Sequence, residues 1–122
     1  MRSVLYVEDN EYNRKIVRQL LSRTSYRLRE AVDGEAALGM VREERPDLIL
    51  MDVQLPKMSG LDVTRALRAD PAMADVPIIV VTSFALSGDD QRAMAAGASA
   101  YIAKPYSPRE LLALIQTFLA ER

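Results

Sequence analysis

The chain has 122 residues with 49% hydrophobic and 27% charged side chains, which is the composition of a single domain with an ordinary core and surface. Its formal net charge of -1 gives no general electrostatic reason to bind DNA or an anionic membrane. The chain contains neither histidine nor cysteine, which excludes histidine-dependent catalytic triads, thiol nucleophiles, disulfides and zinc sites built on these residues.

Short apolar runs alternate with amphipathic stretches along the whole sequence. The apolar runs predict buried strands, and apolar residues at three- and four-residue spacing predict helices with one buried face. The predicted strands span residues 3–7, 26–31, 47–51, 76–82 and 100–103. The predicted helices span residues 10–23, 33–44, 59–69, 87–96 and 107–121. This alternation predicts an α/β fold, a parallel sheet with helices on both faces, as one domain over residues 1–122.

Polar residues at the predicted helix ends support these boundaries. Side chains of Asn, Ser and Asp accept hydrogen bonds from the free amides of a first helical turn, and glycine commonly follows a last turn. The predicted caps are Asn10, the pairs Ser59–Asp62 and Ser87–Asp90 as capping boxes, Ser107 with Pro108 and Glu110, and Gly97 at the end of the fourth helix.

Polar side chains also stand where the predicted strands end. They are Glu8 and Asp9 after the first strand, Asp52 after the third, Thr82 at the end of the fourth and Lys104 after the fifth. In open α/β sheets, ligands bind outside the carboxyl ends of the strands, where the strand order reverses. We therefore expect three carboxylates, one hydroxyl and one ammonium group to share one site.

The three carboxylates need a cation if they lie close together. At an effective dielectric constant of ~20, each pair of carboxylates ~4 Å apart costs roughly 4 kcal/mol. One lysine cannot offset this repulsion, whereas a divalent cation can. An oxygen-only ligand set suits Mg²⁺ better than zinc or copper, and Mg²⁺ usually completes its shell with water and phosphate oxygens. The pattern therefore predicts a magnesium site that handles a phosphoryl group.

These residues also carry a resemblance to a known family. The acidic pair Glu8–Asp9, the segment MDVQLPKMSG around Asp52, Thr82 and the pair Lys104–Pro105 match the receiver domain of bacterial two-component response regulators in identity, order and spacing. The resemblance extends from residue 4 to residue 119. The segments VEDNEYNRK and DLILMDVQLPKMSG are most similar to the single-domain, DivK-type group. The resemblance implies a flavodoxin-like, doubly wound sheet with strands in the order 2-1-3-4-5.

The resemblance implies a phosphoacceptor and a metal site. Asp52 would take a phosphoryl group from the phosphohistidine of a histidine kinase or a histidine phosphotransfer protein. Asp9, Asp52 and the backbone carbonyl of Gln54 would ligate Mg²⁺, for which Mn²⁺ could substitute. Glu8 would act mainly through a bound water.

It also implies a conformational switch. Lys104, joined to Pro105 by a cis peptide, would pair with Asp52 before the reaction and with a phosphoryl oxygen afterwards. Thr82 would donate its hydroxyl to another phosphoryl oxygen, and Tyr101 would turn inward into the space that Thr82 leaves. The face formed by helix 87–96, strand 100–103 and helix 107–121 would then change its contacts with a downstream protein or, in a weak dimer, with a second copy.

The expected role is a cytoplasmic signalling switch, monomeric or weakly dimeric, and not an enzyme. The apolar runs are too short for a membrane span, and direct DNA binding would need an output domain that this sequence lacks. Asn13, on the otherwise apolar stripe of the first helix, fits either local hydrogen bonding or a place near the site.

Three alternatives use parts of the same pattern. A phosphatase of the haloacid dehalogenase type also places an aspartate at a strand end, but it needs a second carboxylate where Gln54 stands. A flavin-binding module of the same topology needs a hydroxyl-rich loop where Glu8 and Asp9 stand. A receiver domain taken from a hybrid histidine kinase or a larger regulator has the same site residues and stays open.

Overall fold

The computed structural model describes residues 2–83 and 88–120, over which strands and helices alternate as predicted. The strands are β1 Ser3–Val7, β2 Arg27–Ala31, β3 Leu48–Asp52, β4 Ile78–Thr82 and β5 Ala100–Ala103. The helices are α1 Glu11–Leu21, α2 Gly34–Glu43, α3 Gly60–Arg68, α4 Asp89–Ala96 and α5 Pro108–Phe118. A short 3-10 turn at Pro71–Met73, which the sequence analysis did not predict, connects α3 to β4.

The strands form one parallel sheet in the order β2-β1-β3-β4-β5, which confirms the predicted doubly wound fold. The order reverses between β1 and β3, so the carboxyl ends of these two strands lie side by side. In the register of the sheet, Val7 pairs with Met51, and Asp52 pairs with Val81. This register places Glu8, which follows Val7, next to Asp52.

The core is split by the sheet into two apolar layers. Side chains alternate along β1, so Leu5 and Val7 belong to one layer and Val4 and Tyr6 belong to the other. The first layer is completed by α2, α3 and α4, and the second by α1 and α5. Every residue of β1, β3 and β4 is buried, as expected for central strands that helices cover on both faces.

The caps of α1 and α5 form as predicted. The Asn10 side chain accepts a hydrogen bond from the backbone N–H of Asn13. Ser107 and Glu110 form a complete capping box, in which each side chain accepts from the backbone N–H of the other, with Pro108 at the first helical position. These bonds satisfy amides that have no partner inside the helix.

The predicted capping box of α3 does not form as a box. The Ser59 side chain accepts from the N–H of Leu61, while the Asp62 carboxylate lies 2.8 Å from the guanidinium of Arg65. Aspartate is one methylene shorter than the glutamate that closes the box at α5, so its carboxylate reaches back less easily.

The fourth helix begins at Asp89, with Gly88 at the cap position in the left-handed region at φ 87°. Ser87, predicted as the cap, lies outside the described residues. The predicted terminal glycine is confirmed, because Gly97 ends α4 at φ 112°, a backbone conformation that favours glycine.

Arg68 connects α3 to the end of α4 and to β5. Its guanidinium donates from Nε to the Gly97 carbonyl at 2.7 Å, from Nη1 to the Met73 carbonyl at 2.7 Å and from Nη2 to Ser99 Oγ at 3.2 Å. The same Ser99 Oγ accepts from the N–H of Ile78 in β4. One side chain therefore holds several segments of the same layer together.

We expect Arg68→Met to lower the free energy of unfolding by about 2 kcal/mol, because the aliphatic packing remains while three hydrogen bonds are lost. Urea unfolding measures the effect. The control is Arg65→Met, on the same helix, where an exposed pair with Asp62 contributes under about 0.5 kcal/mol. Equal losses in the two variants would contradict this account of Arg68.

Candidate functional site

A buried ionic cluster lies at the carboxyl edge of the sheet. The ammonium nitrogen of Lys104 is 3.0 Å from Asp52 Oδ2 and 3.5 Å from Glu8 Oε1. Glu8 is 1% exposed and Asp52 is 2% exposed, a depth at which an unpaired carboxylate is costly. When both are ionised, two carboxylates around one ammonium group leave an excess negative charge, so the cluster then favours a further cation.

The backbone around Asp52 is held on both sides. The N–H of Val53 donates to the carbonyl of Val81 in β4 at 3.1 Å, and the N–H of Gly60 donates to the carbonyl of Val53 at 2.9 Å. The N–H of Gln54 donates to Asp52 Oδ1 at 3.0 Å. A Cβ on Gly60 would lie 1.9 Å from the Asp52 carbonyl oxygen, so only glycine allows α3 to begin directly against the aspartate.

Glu8 is held by donors from β1 and α1. Oε1 accepts from the Tyr6 hydroxyl at 3.1 Å and from the Asn13 side-chain amide at 3.2 Å, while Oε2 accepts from the N–H of Asn10 at 3.2 Å. Arg14 donates to the Glu8 backbone carbonyl at 2.9 Å. The contact between Asn13 and Glu8 confirms the interpretation that Asn13 lies near the site. Tyr6 was missed, because a tyrosine in a buried strand is usually a packing residue.

The surroundings shift the proton affinities of these groups. Burial raises the pKa of Glu8, and the hydrogen bond and charge of Asp52 raise it further, against smaller opposing effects of the Asn10 amide and Lys104. Burial by itself would lower the pKa of Lys104, but hydrogen bonds and negative charge from Asp52 and Glu8 outweigh burial and raise it. Burial, reinforced by Tyr106 and Glu8, raises the pKa of Tyr6. Lys104 therefore stays cationic and Tyr6 stays a hydrogen-bond donor.

The predicted acidic residues are only partly brought together. Glu8 and Asp52 are buried side by side, whereas the side chain of Asp9 is exposed. Among residues 2–83 and 88–120, no three Asp, Glu, His or Cys side chains lie close enough together to hold a metal ion. The reason is that Glu8 turns inward to Tyr6 and Lys104, while its neighbour Asp9 faces solvent. The metal-ligand roles of Asp9, Asp52 and Gln54 remain predictions.

The remaining predicted residues lie on β4 and β5. Thr82 is the buried last residue of β4, next to β3 in the sheet. Tyr101, in β5, has 42% of its surface exposed. The peptide bond between Lys104 and Pro105 is cis, which confirms that prediction. Within residues 2–83 and 88–120, no helix combines the length and the apolar composition of a membrane span.

Comparison with known proteins identifies the family of this chain. The family model for the response regulator receiver domain matches residues 4–116. The chain belongs to the response regulator receiver family. This receiver domain is a component of two-component signalling, and the match favours that family over the haloacid dehalogenase and flavin alternatives.

Relatives of this receiver domain cover nearly the whole chain. It is 44% identical over 120 residues to the polar-differentiation response regulator DivK of Brucella anthropi, covering 98% of each chain. It is similar to the receiver domain of the sensor histidine kinase PA1611 of Pseudomonas aeruginosa, at 37% identity and a TM-score of 0.89 over 96% of each chain. That structure has a magnesium ion coordinated in its active-site cleft. The chemotaxis protein CheY4 of Vibrio cholerae has 32% identity and a TM-score of 0.91, covering 98% of this chain and 99% of CheY4.

Proposed function

We propose that this receiver domain is a phosphorylation-dependent switch that accepts a phosphoryl group on Asp52 from a histidine kinase or a histidine phosphotransfer protein. The observation that carries the proposal is the 3.0 Å contact between Lys104 Nζ and Asp52 Oδ2 beside the buried carboxylate of Glu8. Phosphoryl transfer needs positioned reactants and positive charge more than covalent help from the protein. A nucleophile fixed at a strand end beside a cation meets both needs.

Mg²⁺ fits the donors present at this edge of the sheet. They are carboxylate and backbone oxygens around an excess of negative charge, the ligand chemistry that Mg²⁺ prefers. We propose that Asp9, Asp52 and the Gln54 carbonyl hold the ion and that Glu8 acts through a water, with Mn²⁺ as a substitute. When bound, the ion supplies positive charge for the phosphoryl oxygens. The magnesium in the PA1611 receiver domain supports this proposal.

The reaction at Asp52 exchanges one bond to phosphorus for another. A carboxylate oxygen of Asp52 attacks the phosphorus of the partner's phosphohistidine, the bond from phosphorus to the imidazole nitrogen breaks, and an acyl phosphate forms. Lys104 moves its ammonium contact from Asp52 to a phosphoryl oxygen. The hydroxyl of Thr82 donates to another phosphoryl oxygen. The imidazole nitrogen keeps the electron pair of the broken bond.

The transferred group changes the face formed by α4, β5 and α5. The phosphoryl group adds negative charge and strong acceptor oxygens next to Thr82, which moves toward them. Tyr101 starts from a partly exposed position and turns into the space that Thr82 leaves. The population shifts toward this second state because the phosphoryl group binds it more tightly. The changed face then contacts a downstream protein or, weakly, a second copy, and not DNA.

Two placements in a signalling system fit this domain. The match to DivK over 98% of that protein supports a single-domain regulator over residues 1–122, acting by protein contact in the cytoplasm. The match to the receiver domain of a sensor kinase supports the alternative of a receiver belonging to a hybrid kinase or larger regulator. The two placements share the chemistry at Asp52 and differ in the source and destination of the phosphoryl group.

The proposal is tested by intact mass spectrometry after incubation with acetyl phosphate. We expect one phosphoryl adduct on the wild-type protein with Mg²⁺ present, none with EDTA, and none on Asp52→Ala. The matched control Asp62→Ala, which changes an exposed aspartate of α3, should keep the adduct. Modification of Asp52→Ala to the wild-type extent would reject Asp52 as the acceptor.

A further inference from the structure

Three donors contact one carboxylate oxygen of Glu8, which has about two lone pairs to offer them. Oε1 is 3.1 Å from the Tyr6 hydroxyl, 3.2 Å from Asn13 Nδ2 and 3.5 Å from Lys104 Nζ. An ionised carboxylate has about four lone-pair sites on two oxygens, so three donors on one oxygen compete. Lys104 has the longest of the three contacts, and its shorter contact is to Asp52.

Packing of the Tyr6 ring in the core, and not a contact with Lys104, fixes the position of the Tyr6 hydroxyl. The Tyr6 side chain is fully buried in the layer that α1 and α5 cover. Tyr6 lies in β1 and Glu8 directly follows the strand, and residues two apart in extended backbone project their side chains to the same side of the sheet. Tyr106, in the connection between β5 and α5, packs against the same layer. The position of the Tyr6 donor is therefore fixed independently of Lys104.

Asn13 reaches Glu8 from helix α1. Its side-chain amide leaves α1, whose first turn is fixed by the Asn10 cap, and it ends on the same Oε1 as the Tyr6 hydroxyl. A donor from the sheet and a donor from a helix thus converge on one carboxylate oxygen. Both are uncharged, so they weaken the pull of Glu8 on Lys104 without replacing the cation.

We propose that Tyr6 and Asn13 are positioning residues, which occupy Glu8 and thereby keep the Lys104 ammonium on Asp52. Without the Tyr6 hydroxyl, a free lone pair of Glu8 draws Lys104 closer and away from Asp52. The effect on phosphoryl transfer rests on the proposed function, whereas the effect on the position of Lys104 does not.

The test compares two buried tyrosines that each lose one hydroxyl. Tyr6→Phe removes the donor to Glu8. Tyr26→Phe is the matched control, because Tyr26 is also buried and its hydroxyl donates to the Leu119 carbonyl away from the site. Both variants should lose similar stability in urea. If only Tyr6→Phe changes the signals of the site, the change reports the position of Lys104 and not a general loss of stability.

The first measurement uses unmodified protein without metal or phosphodonor. NMR follows the Cε resonance of Lys104, one of only three lysines, and the amide of Gln54, which donates to Asp52. We expect Tyr6→Phe to shift both resonances and Tyr26→Phe to leave them in place. Asn13→Leu, at a half-buried position of α1, should shift them as Tyr6→Phe does, and it covers the case in which Tyr6→Phe fails to fold.

The second measurement is the rate of adduct formation with acetyl phosphate and Mg²⁺. We expect Tyr6→Phe to be slower than wild type by about fivefold, the equivalent of one hydrogen bond, and Tyr26→Phe to match wild type. Unshifted resonances in Tyr6→Phe and Asn13→Leu overturn the proposal whatever the rates. Shifted resonances with an unchanged rate overturn its link to transfer. If Tyr6→Phe shifts the resonances but the wild-type protein accepts no phosphoryl group, the positioning of Lys104 is upheld and the proposed function is rejected.

Discussion

Replacing Lys104 by methionine is expected to slow phosphoryl transfer to Asp52 by about a hundredfold, the usual cost of losing one preorganised group that stabilises developing negative charge. The ammonium of Lys104 is held 3.0 Å from Asp52 Oδ2, where an incoming phosphoryl group would meet it. Methionine keeps the length and most of the packing of the side chain and removes the charge. The rate of adduct formation with acetyl phosphate, followed by intact mass, measures the effect.

The same substitution should have the opposite effect on metal binding. Loss of the cation leaves Glu8 and Asp52 without charge compensation, so Mg²⁺ should bind at least about fivefold more tightly, since even in water a unit charge at ~4 Å contributes about 1 kcal/mol. Calorimetric titration with Mg²⁺ measures this gain. Lys15→Met, at an exposed position of α1, is the control and should change neither quantity. Slower transfer combined with weaker Mg²⁺ binding would contradict the assigned role.

Gly60→Ala is expected to lower the free energy of unfolding by about 3 kcal/mol, the upper part of the usual range for overpacking. The new Cβ would lie 1.9 Å from the carbonyl oxygen of Asp52, 2.8 Å from its carbonyl carbon and 3.0 Å from Cα of Val53. All of these are backbone atoms, which cannot rotate out of the way. The end of β3 must therefore move, and adduct formation at Asp52 should slow as well.

Gly39→Ala is the matched control for Gly60→Ala. Gly39 lies inside α2, and nothing stands within 4 Å of a Cβ placed there. This substitution should stabilise the protein by about 0.5–1 kcal/mol, because alanine is the better helix former. Urea unfolding measures the free energy of unfolding of both variants. Similar destabilisation of the two would contradict the close contact between Gly60 and the Asp52 carbonyl.

Much of the fold follows from the order of apolar and amphipathic segments. Five alternations with short connections leave a parallel sheet covered on both faces as the simplest arrangement. The strand order came from the resemblance and not from the pattern, because periodicity does not say which strands are neighbours. Residues 71–73 were missed because a single turn is too short to show a helical period.

The candidate site was predictable as a location and less so as an arrangement. The predicted strand ends placed Glu8, Asp9 and Asp52 at one edge of the sheet, since the carboxyl ends of parallel strands all lie at the same edge. The strand ends do not predict that the Glu8 side chain turns inward and the Asp9 side chain outward. The direction of Glu8 depends on hydrogen-bond donors from Tyr6 and α1. A buried tyrosine two residues before a buried acid is the signal that could have revealed this contact, because its hydroxyl needs a partner.

The bonds from Arg68 to Gly97 and Ser99 tie the last turn of α4 and the residues leading into β5 to α3. Because these bonds hold the last turn of α4, the displacement that we propose near Thr82 would move the first turn of this helix more than its last. The exposed surface of α4 would then change its angle to a bound partner, with Arg68 at the pivot.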